Sequence, residues 1–334
     1  MNTLNLTNKP LVFNCQKDDY EKLEKDFADY VKGETLEDKI LDLENFAVGY
    51  TQAKMLEQGL SYRIVNYTFN TDLEYSSVPA KKLYLVIHFY ELNFDETVFC
   101  KIGNTVIESS DKFYSIALMT NSFTQQNVSL KKGTVLKGLS VQISQDWLIS
   151  NIKNLSAEKL EIIKQKDCIL DFITAKQRKI LSDIFNNPSN SNLPQLFIKS
   201  RVLRLTEQFL ENLFNRGLSN IPEYTNQKDF QALVKVEHIL SNNFKDDFPS
   251  IGSLAKTAYM SQSKLKKLFK KAYGMAIYQY YQKSRMHKAK ELLSSKKHNI
   301  SQVGAMLGYQ NMSNFSVAFK KEFNYLPSEY QEVL

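Results

Sequence analysis

The chain reads as an α+β multidomain protein, with a β-rich N-terminal part that carries some helices and an all-α C-terminal part. Three observations lead there. Residues 40 to 150 hold short runs of β-branched and aromatic residues divided by polar turns. From Ser156 onward the apolar spacing changes to the helical period. Two stretches near the C-terminus repeat each other at an offset of 50 residues.

In chain order, residues 17 to 32, with Tyr20, Leu23, Phe27 and Val31, predict a helix. Strands are expected over Tyr62 to Phe69, Leu83 to Tyr90, Thr97 to Ile102, Tyr114 to Met119 and Leu136 to Ile143. Turns such as Lys132-Gly133 and Ile102-Gly103-Asn104 divide them, a pattern that favours an antiparallel sandwich or barrel. Ala157 to Cys168 and Ala175 to Phe185 predict two helices, and Pro188 and Pro194 bound the loop that follows. Gln195 to Phe214 predicts a longer amphipathic helix. Leu196, Leu203 and Leu210 are spaced by seven, and Ile198, Val202, Leu205, Phe209 and Leu213 widen its apolar face. Residues 217 to 229 are polar and read as a linker. The expected division is 1–155 as a β-rich domain, 156–216 as a helical region, 217–229 as linker and 230–334 as the C-terminal domain.

In the repeat, Lys264 to Gly274 matches Asn314 to Asn324. The pairs Leu265/Phe315, Leu268/Ala318, Phe269/Phe319 and Tyr273/Phe323 coincide, as do Lys270-Lys271 and Lys320-Lys321 and the closing Tyr280 and Tyr330. Gly274 matches Asn324, and these residue types suit the left-handed position that ends a helix. Upstream, Ile251, Leu254, Ala255 and Ala258 match Ile300, Val303, Gly304 and Leu307 at an offset of 49, so the second unit has one extra residue in its turn. Each unit is a short helix, a tight connection and a second helix. In a helix-turn-helix that second helix enters the major groove.

Charge agrees. Residues 230–334 hold 16 Lys and Arg against 7 Asp and Glu, whereas residues 1–229 hold 27 against 29. A localised basic excess is the footprint of a phosphate-binding surface.

From about residue 235 to 334 the chain resembles the DNA-binding domain of AraC/XylS-family transcription regulators. The residues that carry the resemblance are Ala255, Met260-Ser261, Leu265 and Phe269-Lys270-Lys271 in the first unit. Between the units they are Arg285, Ala289 and Leu292-Leu293. In the second they are Ile300, Gly308-Tyr309, Phe315, Phe319-Lys320-Lys321, Phe323, Pro327 and Tyr330. The resemblance implies seven helices in two lobes, held apart by a long helix over about Ala276 to Ser294. It further implies an N-terminal cupin-like or jelly-roll-like barrel that binds a small-molecule effector, though that half is not matched residue by residue. For Gln195 to Phe214 the family suggests a dimer contact, while packing onto the barrel is an equal reading. The chain departs from the family at Gly304 (Ala favoured), Val317 (often Arg) and Asn324 (Gly favoured).

Helical geometry sets out the candidate DNA contacts. With Leu265, Leu268 and Phe269 buried, Ser263, Lys264, Lys266, Lys267 and Lys270 lie off the buried stripe of the first reader. Lys266 and Lys267 align with base-contacting family positions, and Lys270 and Lys271 suit phosphates. With Phe315, Ala318 and Phe319 buried, the second reader leaves Asn311, Met312, Ser313, Ser316 and Val317 near the groove and Lys320 near the backbone. Ser261 and Asn299, at helix starts, are expected to help position the protein on phosphates.

Other chemistries find little support. Cys15, Cys100 and Cys168 are scattered, which suits a reducing cytoplasm and supplies neither a disulfide framework nor a four-thiolate alkyl-transfer repair site. Only His88 falls in the strand region, too few ligands for a cupin metalloenzyme, so neither a metal nor a cofactor is expected. His88 reads as a core or cavity residue, and Tyr62, Tyr67, Tyr84, Phe89 and Tyr90 as core or cavity lining. No apolar run approaches the ~18 residues that span a bilayer, and no secretory leader is evident. The expected protein is therefore a non-enzymatic, cytoplasmic regulator. Its expected partners are double-stranded promoter DNA, a small effector, a second copy of itself and, for an activator, RNA polymerase. The alternatives are a DNA-binding protein whose N-terminal domain only dimerises, an architectural binder without ligand sensing and, as the least favoured, a cupin-type enzyme fused to a DNA-binding domain.

Overall fold

The computed structural model describes residues 11–16, 34–36, 39–43, 46–109, 113–153, 155–186, 193–216 and 227–332. These fall into two compact units. One comprises Met1–Ile173 and Ile180–Gln227, the other Thr174–Lys179 and Lys228–Leu334. The helix expected over residues 17 to 32 and most of the expected linker lie outside the described residues. Among those described, no helix is long and apolar enough to cross a membrane.

In the first unit the strands are β1 (Leu11–Gln16), β2 (Glu34–Leu36), β3 (Lys39–Leu43), β4 (Ala47–Glu57), β5 (Leu60–Phe69), β6 (Leu73–Val78) and β7 (Tyr84–Asn93). They continue as β8 (Val98–Ile102), β9 (Thr105–Ser109), β10 (Phe113–Asn121), β11 (Gln126–Leu130), β12 (Val135–Ser144) and β13 (Cys168–Asp171). Eight form one sheet in the order β13-β10-β7-β12-β5-β4-β3-β2, and five form another in the order β1-β6-β11-β8-β9. Pairing is antiparallel except between β1 and β6. The β-rich architecture follows the sequence reading as two open sheets, neither closed into a barrel.

All five expected strands form, as β5, β7, β8, β10 and β12. Strands such as β6 (LEYSSV) and β11 (QNVSL) are too polar to announce themselves, and pairing with their neighbours defines them. The helix expected over Ala157 to Cys168 stops at Gln165. Cys168–Asp171 instead joins the sheet edge, Cys168 opposite Thr120 and Ile169 opposite Met119, which buries Ile169.

Both faces of the eight-stranded sheet are used. Alternate residues such as Tyr62, Ile64, Ile87, Phe89, Leu139 and Val141 join a core with four helices. These are α1 (Gln145–Asn151), α2 (Ala157–Gln165), α3 (Ala175–Asn186) and α4 (Pro194–Arg216). Helix α4 begins on a proline, whose missing N–H costs nothing at a first turn. Its Ile198, Val202, Leu205, Phe209, Leu210 and Leu213 are buried, and Phe209 meets Phe89 edge-on at 6.0 Å. That apolar face therefore serves the unit's own core, while Leu193 and Leu196 at its start are exposed. The sheet's opposite face looks toward the five-stranded sheet across a cavity of about 180 Å³. Of the five aromatics considered, Tyr67 and Tyr90 line that cavity, as does His88, whereas Tyr62 and Phe89 belong to the helix-covered core.

The second unit contains the seven expected helices: α5 (Gln227–Asn242), α6 (Ile251–Thr257), α7 (Gln262–Tyr273), α8 (Ile277–Ser294), α9 (Ile300–Met306), α10 (Met312–Phe323) and α11 (Pro327–Glu332). The first turn of α3 also belongs to it. There Arg178 grips the buried Glu237 of α5 with two hydrogen bonds, of 2.6 and 2.8 Å. Tyr280 of α8 donates to the same carboxylate at 2.7 Å.

Candidate nucleic-acid interface

The two repeats fold as matching pairs, α6 with α7 and α9 with α10. Each helix start is capped by a short polar side chain that satisfies otherwise unpaired backbone N–H groups. Ser250 accepts from the Ser253 N–H and Ser261 from the Lys264 N–H. Asn299 accepts from Gln302 and Asn311 from Ser313 and Asn314. Helix α7 ends on Gly274 at φ 74° and α10 on Asn324 at φ 66°, each N–H donating to the carbonyl four residues back. The matched caps expected from the repeat are thus both left-handed.

Burial orients the two reader helices. In α7, Leu265, Phe269, Ala272 and Tyr273 are buried, with Leu268 half-buried. Phe269, Tyr273 and Tyr280 form an aromatic triangle with centroids 4.5 to 5.4 Å apart. In α10, Phe315 and Phe319 are buried, Ala318 is half-buried, and Phe319 meets Phe323 at 4.7 Å. The long helix α8 ties down the second pair through Arg285. Its Nε donates to the Leu307 carbonyl at 2.6 Å and its guanidinium lies 3.8 Å over the Tyr309 ring.

Of the twelve candidate contact residues, Ser263, Lys264, Lys266, Lys267, Lys270, Lys271, Asn311, Ser313, Val317 and Lys320 are exposed, while Met312 and Ser316 are half-buried. Lys266, Lys267, Lys270, Lys271 and Lys320 make no ion pair among the described residues, so their charge faces solvent undiminished. Lys264 differs, since its Nζ lies 2.9 Å from Asp229. Met312 is drawn into the crevice between α9 and α10, where Gly304 leaves room for its sulfur. Val317 is an apolar side chain 68% exposed on the outer face of α10.

Sequence reasoning missed Tyr259, which is 95% exposed in the turn before α7 and held at φ 51°. Its counterpart at the offset of 49 is Gly308 at φ 75°, where an added Cβ would lie 2.7 Å from the Lys245 carbonyl. That alignment was the available signal, since a tyrosine matched to a glycine in a tight turn marks a strained position.

Residues 254–332 match the family described as helix-turn-helix domain. The arabinose operon regulatory protein of Salmonella typhimurium is 28% identical over 127 residues, which cover 38% of this chain and 45% of that protein. The Msm operon regulatory protein of Streptococcus mutans is 24% identical over 185 residues, covering 53% and 65%. The lactose operon transcription activator of Staphylococcus xylosus is 29% identical over 153 residues, covering 46% and 51%. The C-terminal unit is an AraC/XylS-type helix-turn-helix domain. The chain spans less than two thirds of the length of these curated relatives.

Within this AraC/XylS domain the two readers are chemically unequal. The first carries five lysines and no acid along α7, whereas the second carries Lys320, Lys321 and Glu322 only at its far end. The first can draw phosphates and donate to base edges. The second offers short hydroxyls, an amide and apolar groups at the corresponding surface.

Proposed function

We propose that the protein is a cytoplasmic, sequence-specific, non-enzymatic transcription regulator that binds promoter DNA through both helix-turn-helix pairs. One observation carries this reading: two helices with matching caps present exposed residues, among them lysines that make no ion pair among the described residues. The relatives' names as operon regulators support it. On this reading Lys266 and Lys267 address bases. Lys270, Lys271 and Lys320 address phosphates, and Ser263, Lys264, Asn311, Met312, Ser313, Ser316 and Val317 border the groove. The first unit senses a small effector and governs dimerisation, and the protein activates transcription together with RNA polymerase. An effector can act only through unequal affinity for the DNA-competent and incompetent arrangements.

The test is selection of bound sequences from random duplex DNA with the full chain, with and without cell extract as a source of effector. Two motifs about one helical turn apart are the expected product. No enrichment under either condition would sink the reading.

A further inference from the structure

The floor of the cavity in the first unit is built of three rows of side chains. Strand register aligns Arg63, Ser140, His88 and Leu118 across β5, β12, β7 and β10. The next row facing the cavity is Val65, Gly138, Tyr90 and Ile116, and the next is Tyr67, Leu136, Leu92 and Tyr114. The first row is the most polar, the second carries Tyr90, and the third carries the tyrosines Tyr67 and Tyr114. At the polar end, His88 Nδ1 lies 2.9 Å from Ser140 Oγ and 3.1 Å from Tyr90 Oη, and Tyr90 Oη is 2.7 Å from Ser140 Oγ. His88 Nε2 lies 3.3 Å from Thr120 Oγ1, which also accepts from Gln126 of the facing sheet at 3.0 Å. Beyond this cluster the wall is largely apolar, and Val98, Ile102, Ile107, Val128 and Leu130 form much of the roof.

Gly138 is part of the construction. A Cβ there would overlap the Tyr90 ring, so the glycine lets that ring lie across β12 beside the polar cluster. Among the described residues the wall contains no Asp, Glu or Lys. Its one charged side chain, Arg63, donates from Nε to Thr51 Oγ1 at 3.4 Å.

We infer that this cavity takes a compact, mostly apolar molecule of about one ring, carrying a single hydrogen-bonding group that docks at the His88–Tyr90–Ser140 end. This rests on the reading of the first unit as an effector sensor. The volume fits, because a dry apolar cavity of about 150 Å³ accommodates benzene. The lining excludes the sugars for which the arabinose and lactose operon relatives are named. A sugar carries a hydroxyl on nearly every carbon, and each one buried against apolar wall without a partner weakens binding by about tenfold or more. Cationic ligands find no counter-charge in the described wall.

Calorimetry on the full chain with benzyl alcohol, toluene and D-xylose tests this. Saturable binding is expected for benzyl alcohol and, more weakly, for toluene, with none for xylose. Val128→Phe and Ile116→Phe, which fill the cavity from opposite sheets, should each weaken benzyl alcohol by about tenfold or more. The pair guards against one variant failing to fold. Tyr90→Phe should narrow the gap between benzyl alcohol and toluene. Xylose binding that Val128→Phe abolishes would overturn the inference. So would aromatic binding unchanged in both filled variants, or no saturable aromatic binding at all. Affinity for selected DNA is measured separately at saturating benzyl alcohol. If it does not change while the ligand is bound, effector control fails and the cavity assignment stands.

Discussion

The sulfur of Met312 occupies the space that a Cβ on Gly304 would fill. An added methyl at Gly304 would lie 2.6 Å from Sδ, 2.9 Å from Cε and 3.4 Å from the Phe315 ring. Glycine inside α9 costs about 1 kcal/mol of helix propensity. The contact gives a reason for it, since the vacancy seats the first side chain of the second reader.

Gly304→Ala should therefore gain little of that propensity, because Met312 must leave its seat. Chemical denaturation of Gly304→Ala, Met312→Ala and the double variant should show coupling of about 0.5–3 kcal/mol. Additive effects would mean that the two residues do not share the space.

Arg178→Ala should be among the most damaging single changes in the second unit. Glu237 is 1% exposed and would keep only the Tyr280 hydroxyl of these two partners. Removing one member of a buried pair costs about 3–5 kcal/mol. Arg178→Met with Glu237→Leu should recover much of the loss in thermal unfolding. Equal melting temperatures for Arg178→Ala and the wild type would contradict the account.

His287 predicts acid sensitivity. Burial, then Lys283, Lys290, Lys179 and Lys176, hold its pKa down at about 4, below the ordinary value of 6.5. The Glu322 carboxylate 3.5 Å away pulls the other way and is outweighed. The unfolded chain thus binds the proton more readily, so this contribution is complete above pH 6.5 and is lost as pH falls toward 4. At one pKa unit per ~1.4 kcal/mol the total is on the order of 3 kcal/mol. His287→Gln should flatten the stability profile across that window relative to wild type, and parallel profiles would remove His287 as the cause.

The readers should separate in DNA binding. Lys266→Ala or Lys267→Ala should cost on the order of 1–3 kcal/mol at the selected site and relax its sequence preference. Lys320→Ala should weaken all sequences alike. Val317→Arg should tighten binding overall and steepen the salt dependence by about one phosphate contact. Competition with random duplex decides. Equal losses on cognate and random DNA for the Lys266 and Lys267 variants would refute their base-reading role.

What the sequence made legible followed from periodicity and repetition. Leu265, Phe269, Phe315 and Phe319 are buried as their spacing required, and Gly274 and Asn324 are left-handed as their alignment required. The strands that β-branched and aromatic runs announced also formed. Long-range relations were hidden. Cys168–Asp171 became a strand because β10 offered an unpaired edge, and β11 formed between two partners despite its polar composition. No local signal tied Arg178 to Glu237, 59 positions apart, or showed that Met312 would turn toward Gly304.

The placement of Thr174–Lys179 with Lys228–Leu334 bears on how such proteins exchange parts. A chimera joined just before Gln227 would inherit α5 to α11 and still lack the Arg178 guanidinium that binds Glu237. Recombination that swaps one N-terminal part for another at that point is then constrained to donors that bring an equivalent cation, or to acceptors that first lose the buried acid. No single cut in the chain separates the two units, because Thr174–Lys179 belongs with Lys228–Leu334 while Ile180–Gln227 belongs with the residues before it.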